Sequence, residues 1–192
     1  MVAGMEDGFI SSIYMLAVLL PAIAGIVIGF LPSRRPTTVI VNILGSASCI
    51  AGILCYPMWM IVSDLSATFP VGTFFGDYSV AVDQLTAVFV SLSSLVFLMV
   101  MVHMSHSGHS HPSEFSALAC ALYISCTLFT MADSVILLLI SWEIVSMVTF
   151  LMAEDRDNAP RWRFFAITHI GGLVLMAAFG YMWLLAGTGD IG

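Results

Sequence analysis

The sequence SVILLLISWEIVSMVTFLM, residues 134–152, holds one acidic side chain, Glu143, in the middle of an apolar stretch. The nearest charged residues along the chain are Asp133 and Glu154. At about 1.5 Å of rise per residue, Glu143 lies on the order of 15 Å from each end, near the midplane of a hydrocarbon core about 30 Å thick. A carboxylate there costs about 2.5–3.5 kcal/mol or more, so the position predicts a role in ion or proton transfer. The alternative is a protonated carboxyl group hydrogen-bonded to a neighbouring helix.

The composition of the whole chain is typical of a membrane protein. Hydrophobic residues make up 60% of the chain, charged residues only 9%, and the mean hydropathy is +1.04. Soluble domains carry about 25% charged residues, so this composition excludes a water-soluble surface. We therefore predict an all-α fold, a polytopic helical bundle that forms a single membrane domain over residues 1–192 in the lipid bilayer. The net charge of -7 does not favour a nucleic-acid partner, which calls for basic patches.

Six apolar stretches are long enough to span a membrane, and they cover about 9–31, 37–63, 80–104, 113–131, 134–152 and 163–186. The fourth and fifth are nearly continuous, and we predict a break at residues 132–134, where Asp133 accepts hydrogen bonds from the first free amides of the next helix. Pro57 predicts a kink in the second stretch. Residues 64–82 mix glycine, proline and aromatic residues, which predicts a short hairpin or extended turn. Gly25-x-x-x-Gly29 in the first stretch is a pattern of close helix contact.

The basic residues predict the orientation. All five are arginines, and they lie in two connections, after the first and after the fifth stretch: Arg34, Arg35, Arg156, Arg161 and Arg163. With six spans these connections face the same side, which the positive-inside rule makes cytoplasmic. We expect a multi-pass protein of the cell (cytoplasmic or inner) membrane with both termini external. The opposite face is acidic, and its carboxylates either collect protons or are solvated loop ends.

His169 is the second ionisable side chain predicted within a span. It lies about six residues from the cytoplasmic end of its helix and Glu143 about nine residues from the same face, so their depths differ by about 5 Å. A histidine titrates near neutral pH and can relay protons through either ring nitrogen. We predict Glu143 and His169 as the ion-translocation residues. The alternative for His169 is a ring held by a backbone carbonyl. Hydroxyls of Ser141, Ser146 and Thr168 either hold relay waters or bond a preceding carbonyl.

A histidine-rich segment follows the third stretch and contains His103, His106, His109 and His111. Such segments bind Zn or Ni in some proteins. A metal site usually adds fixed carboxylate or thiolate ligands, and only Glu114 is near in sequence. A solvated cytoplasmic connection is therefore favoured over a metal site, and we predict no metal.

The four cysteines carry no redox motif. Cys49, Cys55, Cys120 and Cys126 lie in the predicted spans without C-x-x-C or iron–sulfur spacing. We therefore predict no cofactor and no redox chemistry within this chain.

Four segments resemble one family of membrane proteins. Residues 83–89 (DQLTAVF) resemble the start of a helix in the antiporter-like subunits of complex I, Mrp antiporters and membrane-bound hydrogenases. Residues 131–134 (MADS) followed by 142–146 (WEIVS) resemble the fifth helix of that family. Residues 164–171 (FFAITHIG) resemble the sixth helix of the formate-hydrogenlyase and energy-converting-hydrogenase branch, and residues 186–190 (AGTGD) resemble its exit. The four segments occur in the family's order and spacing.

The resemblance implies a subunit that translocates protons or sodium ions while other subunits carry out electron transfer. Family members are longer, with two inverted five-helix units and buried Lys or His residues on later helices. This chain has six predicted spans and no Lys, so we expect a short or split subunit that resembles the amino-terminal part. Another membrane subunit would then supply a buried Lys or His to Glu143. An approaching cation favours the ionised carboxylate, whereas apolar surroundings favour the protonated form, so making and breaking the pair moves protons.

Two other functions remain open on the sequence. One is a structural subunit of the membrane arm with no active ion path. The other is a small metal-cation transporter that uses the histidine-rich segment.

Overall fold

The computed structural model describes residues 2–31, 35–62, 65–69, 78–106, 113–153 and 158–186. The elements are α1 (Val2–Gly29), α2 (Arg35–Ile53), α3 (Cys55–Val62), β1 (Leu65–Phe69), β2 (Tyr78–Val82), α4 (Gln84–His106), α5 (Ser113–Met131), α6 (Val135–Met152) and α7 (Asn158–Ala186). All helices except α3 contain a segment long and apolar enough to cross a membrane, which makes six candidate spans. The prediction of an all-α membrane bundle with about six spans is confirmed.

Two helices begin at least five residues earlier than the apolar stretches predicted. Helix α1 begins at Val2 instead of residue 9, and α7 begins at Asn158 instead of residue 163. Hydropathy marks where a segment can enter lipid, whereas the backbone hydrogen bonds of a helix continue into polar flanking residues. The apolar spans within these helices, Ser11–Gly29 and Trp162–Met182, are accordingly shorter than the helices.

The third predicted span began too early. Residues 80–82 belong to β2, and α4 starts only at Gln84 because Asp83 caps it. The backbone N–H of Thr86 donates to Oδ1 of Asp83 at 2.6 Å, and the N–H of Ala87 donates to the carbonyl of Asp83 at 2.9 Å. A carboxylate at this position satisfies amides that have no partner inside the helix.

The kink predicted from Pro57 is confirmed as a break between α2 and α3. Proline has no N–H, and its ring collides with the carbonyl four residues earlier, which belongs to Ile53. Helix α2 ends at that residue, and the backbone N–H of Tyr56 donates to Oγ of Ser91 on α4 at 3.1 Å. The broken helix is therefore tied to α4 at the point where its own hydrogen bonds are interrupted.

The break between α5 and α6 lies where it was predicted, but the capping residue is Ser134 and the prediction of Asp133 was wrong. Ser134 has extended φ and ψ of -116° and 140°, and its side chain accepts a hydrogen bond from the N–H of Leu137 at 3.4 Å. The capping side chain belongs to the last non-helical residue, because only there does it reach the amide three residues on. Asp133 lies one residue too early.

The predicted hairpin is confirmed in the part that the structure describes. Strands β1 and β2 pair antiparallel, from Leu65 opposite Val82 to Phe69 opposite Tyr78. Val80 also forms an antiparallel bridge with Ala132 in the connection between α5 and α6. The hairpin thus contacts the point where two spans meet.

A small residue and one polar network hold α2, α4 and α5 together. A Cβ atom on Gly52 of α2 would overlap Oγ of Ser94 and the hydroxyl of Tyr123, so α2 lies directly against both side chains. The Tyr123 hydroxyl is 2.9 Å from Oγ of Ser94 and donates to the carbonyl of Ser48 at 3.3 Å. Tyr123 is fully buried. One tyrosine on α5 therefore links α2 and α4 inside the apolar core.

Helices α6 and α7 lie at the edge of this bundle. Helix α6 packs on α5, and α7 packs on α6. Along α7, Gly172 is the one buried residue among those whose burial is described. Neighbouring residues therefore cover α7 most completely at this glycine.

The Asp83 cap leads to a prediction about pH. The hydrogen bond donated by the backbone N–H of Thr86 holds the pKa of the Asp83 carboxyl below its usual range. Its stabilising effect is therefore present above the ordinary pKa of about 3.9 and is lost as the pH falls through the lower value of the folded state. We expect Asp83→Asn, which keeps a cap without a titrating group, to lose less thermal stability than the wild type between pH 5 and pH 3.

Melting of the two proteins in detergent at each pH measures this difference. Its size is small, because solvent screens an exposed carboxylate. Equal pH dependence in the two proteins would contradict a contribution from Asp83.

Candidate functional site

The structure brings Glu143 and His169 into contact between α6 and α7. Oε2 of Glu143 is 3.3 Å from Nε2 of His169. Glu143 lies halfway along α6, and the exposed fractions of the two side chains are 33% for Glu143 and 30% for His169. The two residues predicted as the ion-translocation site are thus neighbours, while their function stays a prediction.

The ring of His169 is oriented by its own helix. Nδ1 is 3.0 Å from the carbonyl oxygen of Phe165, one turn earlier. The imidazole also lies against the Phe165 ring, with 3.8 Å between the ring centroids. The carbonyl contact that the sequence left as an alternative is present together with the contact to Glu143. Nδ1 faces the backbone, and Nε2 is left for the carboxylate.

These contacts indicate where a proton shared by the pair can lie. A carbonyl oxygen only accepts hydrogen bonds, so Nδ1 carries a hydrogen in this geometry. Nε2 then has a proton only when the imidazole is positively charged. A favourable contact between Nε2 and Oε2 therefore needs one proton, either on the ring beside a carboxylate or on the carboxyl group beside a neutral ring. Without that proton, a carboxylate oxygen faces a nitrogen lone pair and the contact is unfavourable.

Two neighbours of the pair were not singled out from the sequence. A Cβ atom on Gly172 would lie 2.6 Å from Oε1 of Glu143 and 3.4 Å from Nε1 of Trp142. By contrast, a Cβ atom on Gly171, the glycine of the segment THIG, would meet nothing within 4 Å. Gly172 is three residues after His169 and so shares its face of the helix, which is the signal that could have identified it.

The hydroxyl groups near the site differ in their partners. Oγ1 of Thr168 donates to the carbonyl of Phe164 at 2.8 Å, as hydroxyls in membrane helices often do. Ser141 and Ser146 on α6 are both buried. Oγ of Ser141 is a buried atom that has no hydrogen-bond partner among the described residues. Ser141 is therefore the hydroxyl with capacity left for a water molecule.

The histidine-rich segment is described only in part. His103 and His106 lie in the last turn of α4, and Nδ1 of His106 is 2.9 Å from the carbonyl oxygen of Val102. His109 and His111 lie outside the described residues. Within the described ranges no three His, Cys, Asp or Glu residues gather in a group that could hold a metal. All four cysteines are free thiols, and Cys49, Cys55 and Cys120 are buried.

Comparison with known proteins relates this fold to a membrane complex. No protein-family model matches the chain, and no curated protein matches it in sequence. Among solved structures, the fold is similar to a chain of the membrane-bound sulfane sulfur reductase (MBS), an archaeal respiratory membrane complex. The TM-score is 0.80 at 16% sequence identity, and the match covers 92% of this chain and 29% of that chain. The chain is thus a helical membrane protein whose fold occurs within a respiratory complex, and it spans less than a third of that neighbour's length.

Proposed function

We propose that this protein is a proton-translocating subunit in the membrane arm of a redox-driven complex, and that electron transfer takes place in other subunits. The observation that carries this proposal is the contact of 3.3 Å between Glu143 and His169 in the middle of an apolar helix pair. Ionisable residues within membrane segments are costly and mark ion or proton paths. The likeness to a chain of an archaeal respiratory membrane complex supports the setting.

The proposed mechanism uses the proton count of the pair. With one proton, Glu143 and His169 attract each other. Loss of the proton leaves a carboxylate facing a nitrogen lone pair, and this repulsion separates the two groups. Each uptake or release of a proton is thereby linked to a movement of the carboxyl group. The site has one carboxylate and one imidazole, whereas hard metal cations prefer several oxygen ligands, so we propose H⁺ as the ion.

The exposure of the pair supports a membrane partner. Both side chains are about one third exposed, although each lies within a candidate membrane span. Lipid is a poor environment for an ion pair, so another protein would cover this side of α6 and α7. We propose that a second membrane subunit supplies a Lys or His to Glu143, within the 4–6 Å or so over which opposite charges act strongly. This chain alone, purified as an active proton pump, would contradict that proposal.

A structural role is the second candidate, and the same contact supports it. With His169 also held by Phe165, the pair can act as a fixed link between α6 and α7 without moving protons. The two functions differ in one measurement, the proton gradient formed by sealed vesicles during electron transfer. A fixed link leaves the gradient per electron unchanged when its charges are removed.

The first prediction from this proposal concerns His169. We expect His169→Gln to lower proton translocation several-fold without abolishing it, because water can replace one member of a relay but not the charge that changes state. The measurement is the initial rate of acidification in vesicles that contain the assembled complex. His106→Gln is the matched control, since His106 lies in the exposed last turn of α4. Equal rates in both variants would argue against a relay at His169.

A further inference from the structure

The Glu143 carboxyl group makes a second contact with α7, which proton sharing with His169 does not explain. Oε2 faces His169, whereas Oε1 lies against Gly172 on the same helix. A Cβ atom at position 172 would be 2.6 Å from Oε1, closer than a side-chain oxygen and a carbon atom can approach. The missing side chain of Gly172 is therefore what makes room for Oε1.

The indole of Trp142 reaches the same place. Its Nε1 would be 3.4 Å from a Cβ atom on Gly172. This nitrogen is buried and has no hydrogen-bond partner among the described residues. A buried N–H without an acceptor is costly, and the group can only donate. The tilted packing of the indole on Phe129 of α5, with 5.9 Å between ring centroids, limits its rotation.

We infer that Gly172 and Trp142 are positioning residues for Glu143, with Gly172 providing the space for Oε1 and the Trp142 indole donating to that oxygen when the carboxyl group is ionised. This inference rests on the proposed function. Each carboxylate oxygen then has its own partner, His169 for Oε2 and Trp142 for Oε1. A donor that prefers the charged form favours proton release, while the apolar surroundings favour proton uptake.

Among the described residues, the elements packed against α6 place few other charged groups near the Glu143 carboxyl group. Among the described residues, His169 is the group in ion-pair contact with Glu143. Arg163 of α7 is six residues before His169, about 9 Å of helix rise away. Helix α5 carries Glu114 in its first turn, and its other titratable groups are cysteine thiols and Tyr123, which are neutral near pH 7.

The test compares two adjacent glycines. Gly172→Ala displaces Oε1, which is the mobile end of a side chain, so the fold tolerates the substitution. Gly171→Ala is the matched control, because a Cβ atom there meets nothing within 4 Å. In vesicles with the assembled complex, we expect Gly172→Ala to move the pH dependence of proton translocation by about one to two pH units towards alkaline pH, since a donor to the charged form is lost. Gly171→Ala should keep the wild-type profile.

Trp142→Phe provides a second variant with the same expectation. It removes the N–H and keeps the aromatic packing, so its profile should move in the same direction. The double variant of Gly172→Ala and Trp142→Phe should move no further than the larger single change, because both act on one hydrogen bond. A fully additive double variant, or a profile of Gly172→Ala that equals Gly171→Ala, would overturn the inference.

An infrared measurement separates this inference from the proposed function. The carboxyl band of Glu143, assigned by its disappearance in Glu143→Gln, reports the hydrogen bonding of the group even in a complex that does not pump. We expect the band to shift in Gly172→Ala and Trp142→Phe and not in Gly171→Ala. If Glu143→Gln pumps like the wild type and the band still shifts, the proposed function fails, but Gly172 and Trp142 still position the Glu143 carboxyl group. If Glu143→Gln blocks pumping and the band does not shift, the inference fails alone.

Discussion

Glu143→Gln is expected to reduce proton translocation to the background of the vesicles while the complex still assembles. Glutamine keeps the shape of the side chain and can still hydrogen-bond His169, so the contact between α6 and α7 is retained. It cannot take up or release a proton, and the proposed mechanism depends on that change of charge. Electron transfer then either slows, if it is tightly coupled to pumping, or continues without a gradient.

The measurement follows the proton gradient and the rate of electron transfer in the same vesicles. Glu114→Gln is the matched control, because Glu114 is an exposed acid in the first turn of α5 and the substitution is the same. Wild-type protons per electron in Glu143→Gln would exclude Glu143 as the proton carrier. The structural role would then be the better explanation of the pair.

Gly29→Val is expected to have the largest effect on stability. A Cβ atom on Gly29 at the end of α1 would lie 2.5 Å from Cβ of Ala117 and 2.9 Å from the carbonyl oxygen of Ser113, both on α5. Neither atom is the mobile end of a long side chain, so α1 and α5 must separate. Overpacking of this kind costs about 1–3 kcal/mol, and valine adds two methyl groups beyond Cβ, which places the cost towards the upper end.

Thermal unfolding in detergent, followed by the fraction that remains monodisperse, measures this cost. A loss of about 2–4 °C is expected for each kcal/mol in a chain of this size. Gly180→Val is the control, because a Cβ atom on Gly180 meets nothing within 4 Å. If the two valine variants melt together, the close contact between α1 and α5 does not contribute to stability.

Local signals in the sequence predicted the interruptions of the helices well. Pro57 removes a hydrogen bond wherever it is placed, so the break beside it needed no knowledge of the fold. The choice between Asp133 and Ser134 as the cap could not be made in the same way. Both side chains can accept from a free amide, and the backbone angles of the connection decide which residue is the last outside the helix.

The sequence predicted the positions of Glu143 and His169 along their helices, but not which sides of the two helices face each other. Counting residues along two helices places Glu143 and His169 at similar heights, because helix rise is constant. Which faces of α6 and α7 meet depends on how the two helices pack, and the helix rise does not predict that packing. For the same reason the sequence did not show that Gly172, and not Gly171, faces Glu143. Adjacent residues on a helix differ by about 100° in direction. The functional roles of Glu143 and His169 stay predictions.

The bridge between Val80 and Ala132 has a consequence for the order in which the protein is made. Strand β2 is synthesised before α4 and α5, whereas Ala132 follows α5. The bridge can therefore close only after Ala132, and with it both of these helices, has been synthesised. Until then Val80 on strand β2 lacks its bridge partner, Ala132. Closing of the bridge thus follows the synthesis of α4 and α5, and it occurs at the turn from which the helix carrying Glu143 begins.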